Sequence, residues 1–407
     1  MRIGEFAKKF DVSIDTIRHY MDLGLIIPTK SGAQYSFDDE CIFEMENIVE
    51  LKKLGFTLTE IKSYQFYMRI SKLKPMQNDI FFMDFIKSKK NEILKEIDEL
   101  SEKEKLLSQK LDSHSIEVTK RTIGIPLNII DIFACPLCKK DLVLNSTEII
   151  NNQVMSGTLD CSCGESLSIH QGIICEEGKA IDLTQEEEEE SKMFFVDYVN
   201  KTNTEYFNAI HSNFEWIKKK TDYSKFSGIA CEVGSGVGLF LRNIYDSLPD
   251  DMVYICVDNN HQINLFLKQI LELDGSNKNV IFITSDMLSI PLKDGSIDVL
   301  IDAYGTTNYI SENESMKFPI HEIDDLLAED YYFIGSFFLF RSFSTSNTSI
   351  EEGKREAFME EYITSRLKRS MDIVDTYSSE NLPIGGEYEM LIGEGDKAYI
   401  YSVIGER

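Results

Sequence analysis

The chain has 407 residues, 43% of them hydrophobic and 27% charged, with a net charge of −27. That length calls for more than one core, and that composition excludes a disordered chain; no apolar run reaches the roughly 18 residues that a membrane span needs. The acidic balance opposes contact with nucleic-acid phosphate, except from Met1 to Pro75, where 11 Lys and Arg face 11 Asp and Glu. Eight cysteines occur in a chain whose N-terminus lacks the apolar core of a signal peptide. The expectation is a cytoplasmic protein whose cysteines serve metal or remain free thiols.

The first segment, 1–75, opens with IGEFAKKFDVSIDTIRHYMDLGLI. Ile3, Phe6, Ala7 and Phe10, then Val12, Ile14, Ile17 and Tyr20, are spaced for two short helices. Asp11 and Val12 make the break, Ser13 is placed to cap the second helix, and Gly24 to end it. Such a pair builds either a helix-turn-helix, whose second helix enters the major groove, or a small helical bundle without a ligand. After RHYMDLGLIIPTK come the short stretch SGAQYSFDD and, later, LKKLGFTLTEIK, Leu51 to Lys62. Taken together, these roughly 65 residues resemble the MerR-type winged helix-turn-helix, in the family's order. The resemblance implies binding to double-stranded promoter DNA, with Ser13, Asp15, Thr16, Arg18, His19 and Tyr20 on the second helix and Tyr35 on the wing. The family usually sets an Arg beside the wing tyrosine, whereas Tyr35 is flanked by Gln34 and Ser36, which removes one expected phosphate contact.

The second segment, 76–115, reads as a long helix from about Asp79 to Ser113. Ile86, Ile93, Leu100 and Leu107 recur every seven residues, with Ile97 and Leu111 in the second row and Lys90 and Glu104 interrupting it. That is a heptad seam, and the family resembled uses such a helix to pair two protomers antiparallel. A homodimer is therefore expected, the other reading being an amphipathic helix packed on its own chain.

The third segment, 125–184, holds ACPLCKKDL and LDCSCGESL. Cys135 and Cys138 have the spacing by which one turn presents two thiolates to a tetrahedral ion, and Cys161 and Cys163 supply two more. Cys175 and His170 stand as substitutes, because the second pair is a cramped CxC. With strand-like alternation from Val143 to Leu159, the segment is similar to the zinc ribbon of tRNA-methyltransferase activator proteins and of some ribosomal-RNA methyltransferases. Structural zinc is expected, and an all-thiolate set leaves no open position for catalysis. The run Gln185 to Glu190 reads as a solvated acidic first turn of a helix.

The fourth segment, 191–407, alternates strands with helices. Strands are expected at Ile229–Val233, Met252–Val257, Val280–Thr284, Val299–Ala303 and Tyr332–Phe340, in a mostly parallel sheet. YEMLIGEGDKAYIYSVIG adds an antiparallel pair joined by a tight Gly-Glu-Gly-Asp turn. The loop EVGSGVG carries Gly234, Gly236 and Gly238, which fits neither the dinucleotide fingerprint, since Leu239 stands where its third glycine belongs, nor a P-loop. It resembles motif I of the class I S-adenosylmethionine (SAM) methyltransferases. That resemblance implies a SAM site made of Glu232, Gly234, Ser235, Gly236 and Gly238. Asp258 would accept from the ribose hydroxyls beside Asn259, and Asp286 would meet the adenine amine beside Met287. Asp298 would precede the fourth strand beneath the substrate. Tyr304, Asn308 and Tyr309 follow that strand in DAYGTTNY, where they either line an acceptor pocket or pack the loop.

The expected fold is multidomain: an all-α winged helix-turn-helix with a long coiled-coil helix, a small zinc ribbon, and an α/β Rossmann-like methyltransferase domain closed by a C-terminal antiparallel hairpin. The expected function is a dimeric MerR-type regulator with a SAM-binding effector domain that methylates a small molecule. The alternative is a methyltransferase, acting on a small molecule or RNA, that uses the winged domain only as a scaffold.

Overall fold

The computed structural model describes residues 1–31, 34–71, 75–113, 121–176, 178–180, 197–274, 278–314, 317–344, 350–382 and 391–407. The chain divides into two compact units, Met1–Glu117 and Val118–Arg407.

In the first unit, α1 (Ile3–Lys9) and α2 (Ile14–Asp22) are followed by a two-stranded wing, β1 (Thr29–Ser31) and β2 (Gln34–Ser36), then α3 (Asp39–Lys53), α4 (Leu58–Ile70) and α5 (Pro75–Ser113). The local chemistry explains the boundaries. Ser13 Oγ accepts the Thr16 N–H at 3.0 Å at the start of α2, and Gly24 takes a φ of +72° just past its end. Thr57 and Glu60 form a reciprocal capping box on α4. Phe6, Ile17, Phe37, Met45, Ile48 and Ile61 are buried in the core. The beginning of α5 packs on α4 and the turn before it through Tyr64–Phe85 and Phe56–Phe85 ring stacks, at centroid distances of 5.2 and 4.4 Å.

The second unit is organised on one 12-stranded sheet, ordered β13-β14-β12-β11-β8-β9-β10-β7-β6-β5-β3, with β4 paired to β5. Its strands are β3 (Ile125–Pro126), β4 (Leu142–Ile150), β5 (Gln153–Cys161), β6 (Ser166–His170), β7 (Ile173–Cys175), β8 (Ile229–Val233), β9 (Val253–Asp258), β10 (Asn279–Thr284), β11 (Ile297–Ala303), β12 (Leu327–Ser342), β13 (Asp372–Ser378) and β14 (Lys397–Glu406). The run from β10 through β9, β8 and β11 to β12 is parallel throughout. β14 and β13 close that end antiparallel. This is the expected Rossmann-like sheet with antiparallel C-terminal strands. Helices α6 (Thr204–Lys220), α7 (Leu239–Ile244), α8 (His261–Asp274) and α9 (Gly305–Glu312) lie between or before the strands, and two apolar cores, one led by Phe214, Phe240 and Tyr254 and the other by Val257, Leu300 and Phe333, fill the unit. Among the described residues no helix is long and apolar enough to cross a membrane.

Two differences from expectation have physical reasons. The cysteine segment is not a freestanding ribbon: β7 pairs parallel with β10, placing Cys175 beside Thr284, so its strands extend the central sheet. The partner of β14 among the described strands at that edge is β13, DIVDTYS, whose two aspartates masked its strand character. The first strand expected at the C-terminal turn falls on residues 388–390, outside the described residues, as does the run Gln185 to Glu190. Asp396 organises the turn itself, accepting N–H groups from Gly393 at 3.0 Å and Ser344 at 2.6 Å.

Candidate functional site

The face of α2 expected to read DNA presents Ser13, Asp15, Arg18 and His19 to solvent, with Thr16 half-buried. Arg18 Nη1 lies 3.0 Å from Asp15 Oδ1, both side chains being mostly exposed, so a phosphate would compete with a weak surface pair. Tyr20 is a correction: it is buried in the core with its hydroxyl 3.5 Å from Lys52 Nζ. It shares the inward face of α2 with Ile17, so its ring packs the helix rather than meeting a groove. Tyr35 is exposed on the wing with Lys30 over its ring at 5.7 Å, and that lysine is a cation in the neighbourhood where an Arg was expected. Arg69 was missed by sequence reasoning. Its guanidinium donates to Gly24 O and Leu25 O at 2.7 Å each and to Glu44 Oε1 at 2.6 Å, which clamps the end of α2.

Along α5, Ile93, Leu94, Ile97, Leu100, Leu107 and Leu111 are exposed. A helix of 39 residues is about 58 Å long, and these residues stripe its outer part without cover from the first unit. Leu54, Phe56, Ile86, Ile93 and Leu94 line a groove of about 180 Å³ at the root of that stripe.

Cys135, Cys138, Cys161 and Cys163 converge, with all four sulfur atoms within 4.8 Å of one another. The Cys135–Cys163 and Cys138–Cys161 sulfur distances are 3.6 and 3.4 Å, against about 3.8 Å between thiolates on a tetrahedral zinc with 2.3 Å bonds. Two tight turns make this possible. Lys139, at a φ of +58°, donates its N–H to Cys135 O, and Gly164, at +100°, donates its own to Cys161 O. The second turn is what lets a CxC supply both ligands. Cys175 lies elsewhere, buried with its sulfur 3.4 Å from His261 Nδ1, and His170 is not in the cluster.

The glycine loop leaves β8 where the strand order reverses, since β9 and β10 continue on one side and β11 and β12 on the other. A crevice opens outside the carboxyl ends of parallel strands at such a point. Here it holds about 440 Å³, lined by Gly234, Gly236, Asp258, Asn259, Asn260, Ile263, Ser285, Asp286, Met287, Gly305, Asn308, Tyr309 and Glu312. Gly234, at a φ of +67°, passes so close to Gly305 that a Cβ would stand 2.8 Å from its Cα, whereas a Cβ on Gly236 would meet nothing within 4 Å. The cradle at Gly236 is therefore open to a ligand. Asp258 fastens the loops on either side, accepting the Gly236 N–H and the Asn260 N–H, both at 2.9 Å. Burial pushes its carboxyl upward while those two N–H bonds pull it back. Asp286 accepts the Leu288 N–H at 2.8 Å through Oδ1, which leaves Oδ2 for another donor. Among the described residues, Ser285 Oγ is buried without a hydrogen-bond partner, and Ser285 lines the crevice.

Several expected residues stand differently. Glu232 is buried beneath the loop, not in its wall, and accepts the Tyr254 hydroxyl at 2.7 Å; it alternates onto the same face as Ala230, toward the core. Gly238 caps α7 at a φ of +70° and lies against Leu267 rather than the crevice. Asp298 sits at the opposite end of the sheet, where its carboxylate accepts the Ile229 N–H at 2.8 Å. It borders a more open cleft of about 630 Å³ there, remote from every loop of the switch point. Tyr304, at a φ of +72°, does not line the crevice. Its hydroxyl takes a hydrogen from Asn213 Nδ2 at 3.3 Å, while Asn308 and Tyr309 do face the crevice. Sequence reasoning missed Ser285 and Asp302. Asp302 is wholly buried and accepts the Thr306 N–H at 3.0 Å, at the start of α9; an acid inside the apolar run VLIDA was the available signal.

Residues 1–67 match the family model described as the MerR HTH family regulatory protein. The HTH-type transcriptional regulator ZntR homolog of Haemophilus influenzae is 37% identical over 65 residues, which are 16% of this chain and 48% of that protein. The chain thus spans about half the length of the curated relative it matches. Among solved structures, a SAM-dependent methyltransferase from Aquifex aeolicus aligns at 15% identity and a TM-score of 0.34, covering 47% of this chain and 88% of that one. Magnesium protoporphyrin IX methyltransferase from Synechocystis, with bound SAM, aligns at 16% identity and a TM-score of 0.33, covering 49% and 79%. The chain therefore carries an N-terminal MerR HTH domain, followed by a unit of Rossmann-like topology that contains a four-cysteine cluster.

Proposed function

We propose that this protein is a dimeric, DNA-binding regulator of MerR type whose second unit binds SAM and transfers its methyl group to a small molecule. The observation that carries the reading is the crevice at the switch point. An open glycine cradle, a carboxylate spanning two loops and a buried, unpartnered serine hydroxyl meet there. That donor set fits SAM. Gly234 and Gly236 offer backbone to the methionine part without a Cβ in the way, Asp258 has lone pairs for the ribose hydroxyls, and Asp286 and Met287 flank the adenine. SAM, when bound, supplies a methyl group already activated on a sulfonium. The chain's own task is then to orient the acceptor, for which Asn308 and Tyr309 are placed on α9, and to exclude water. Zinc fits the four thiolates as a structural ion, and the exposed stripe of α5 fits a second copy of the chain.

Isothermal titration with SAM and with S-adenosylhomocysteine, alongside Asp258→Asn, tests the pocket. Binding by the wild type that is lost in the variant is expected; no heat with either ligand would sink the reading. If the purified protein binds SAM but selects no DNA sequence, the winged domain serves as a scaffold and the enzymatic alternative stands.

A further inference from the structure

The loop that carries Asp286 is held from both ends by the cysteine segment. At its start, Glu176, the residue after β7, donates its N–H to Thr284 O at 3.1 Å. Glu176 Oε1 accepts the Asp286 N–H at 3.2 Å and the Ser289 hydroxyl at 2.7 Å, while Oε2 lies 2.8 Å from Lys179 Nζ. At its end, Phe133 bridges Leu292, Ala134 donates to Pro291 O at 3.2 Å and Lys293 donates to Ile132 O at 3.0 Å. Cys135 follows directly. Ser289 also donates its N–H to Asp286 O at 3.0 Å, so the Glu176 carboxylate ties both ends of one tight turn. Among the described residues two side chains bond the Asp286 backbone: Ser289 Oγ reaches its carbonyl at 3.5 Å from within the turn, and Glu176 Oε1 accepts its N–H from the cysteine segment.

We propose that the cysteine segment is a built part of the adenine end of the crevice, with Glu176 as the positioning residue that aims Asp286. The inference rests on the SAM reading and goes beyond it, because it makes discrimination of the adenine 6-amine depend on a residue 110 positions earlier in the chain. Asp286 Oδ2 is a pure acceptor and prefers a donor at that position of the purine; a ring carbonyl in the same place would oppose it. Glu176 matters by fixing where that acceptor points, through charge-assisted hydrogen bonds.

The test titrates the full-length protein with S-adenosylhomocysteine and with its inosine analogue, in which a carbonyl replaces the 6-amine. The wild type is expected to prefer the amine by about tenfold or more. Glu176→Ala should lose about tenfold for S-adenosylhomocysteine and under twofold for the analogue, which collapses the preference. Glu176→Gln, which keeps an acceptor oxygen, should recover most of it. Equal loss for both ligands in Glu176→Ala would reduce Glu176 to a support of the fold, and unchanged titrations would remove the brace; either overturns the proposal. A wild type that binds neither ligand fails the SAM reading itself, which separates that failure from this one. Urea melts followed by Trp216 fluorescence confirm that each variant is folded.

Discussion

Glu232 stands 1% exposed under the glycine loop with the Tyr254 hydroxyl at 2.7 Å. Burial pushes its carboxyl up to about 8 from 4.5; the Tyr254 hydrogen bond pulls it down, and Asp258 and Asp302 push it further up. The unfolded chain releases this proton near 4.5 while the native chain keeps it to about 8, so the native state binds the extra proton in between and loses stability as pH rises through that window. At 1.36 kcal/mol per pH unit, the loss between pH 5 and pH 8 is on the order of 3 kcal/mol. Glu232→Gln keeps the shape, still accepts the tyrosine hydrogen and carries no charge at any pH. The variant is expected to match the wild type near pH 5 and to exceed it by about 3 kcal/mol at pH 8. Asp302, raised by burial to about 6, is present in both proteins and largely cancels in the comparison. The assay is urea denaturation at the two pH values, read by the chain's single tryptophan, Trp216 on α6, which reports the second unit alone. Parallel pH profiles for the two proteins would refute the reasoning.

Five further outcomes are expected. Gly236→Ala places its methyl in open space at a φ of +51°, so SAM titration should show lost binding at a stability cost of about 1–2 kcal/mol. Gly238→Ala, whose Cβ would stand 2.4 Å from Leu267, should instead lose stability, by about 2–3 kcal/mol in the same melt. Cys163→Ser should lower zinc content by elemental analysis from near one per chain, and unchanged occupancy would remove that ligand from the set. Arg18→Ala should weaken binding to selected DNA by about 1–3 kcal/mol, whereas Asp15→Asn, which frees Arg18, should strengthen it; the reverse order in gel-shift titrations would take Arg18 off the interface. Leu100→Lys combined with Leu107→Lys should convert a dimer to a monomer in sedimentation, and a persistent dimer would place the interface elsewhere.

How much of this was legible depended on whether the signal was local. The cap of α2, the heptad stripe and the five parallel strands are carried by spacings within one element, and the structure has them with boundary shifts, the longest being β12 at Leu327–Ser342. The crevice residues were legible because glycines at alternate positions and acids at strand ends are local as well. What was not legible came from contacts across the sheet. Glu232 stands one residue before the end of β8 and Asp258 ends β9, yet the first faces the core and the second the crevice, a difference fixed by how the strands pack. Glu176 lies in the loop sequence CEEGKA with no pattern to mark it; its role exists only because β7 ends beside β10. Tyr20 followed the same logic in the helical head, where a one-residue step from His19 turns a side chain from solvent to core.

The joining of the cysteine segment to the central sheet follows from what each lacks. β10 ends the run of alternating strands and helices, and on its own would present a row of unpaired backbone groups. β7, of three residues, is too short to hold together a small sheet by itself. Pairing the two in parallel satisfies the edge of β10 and gives β7, β6 and β5 a core, with Ile169, Ile174 and Leu167 buried against Ile281 and Ile283. The cost is moved outward to β4, which pairs with β5 and exposes Val143, Ile149 and Ile150. That edge is blunted where the register slips between Asn145 and Glu148, a bulge that twists the strand away from a new partner. An ion on the four thiolates would then tie the tips of the outer strands rather than build a separate domain. Excising residues 125–176 would therefore uncover β10 and release the Asp286 loop in the same step.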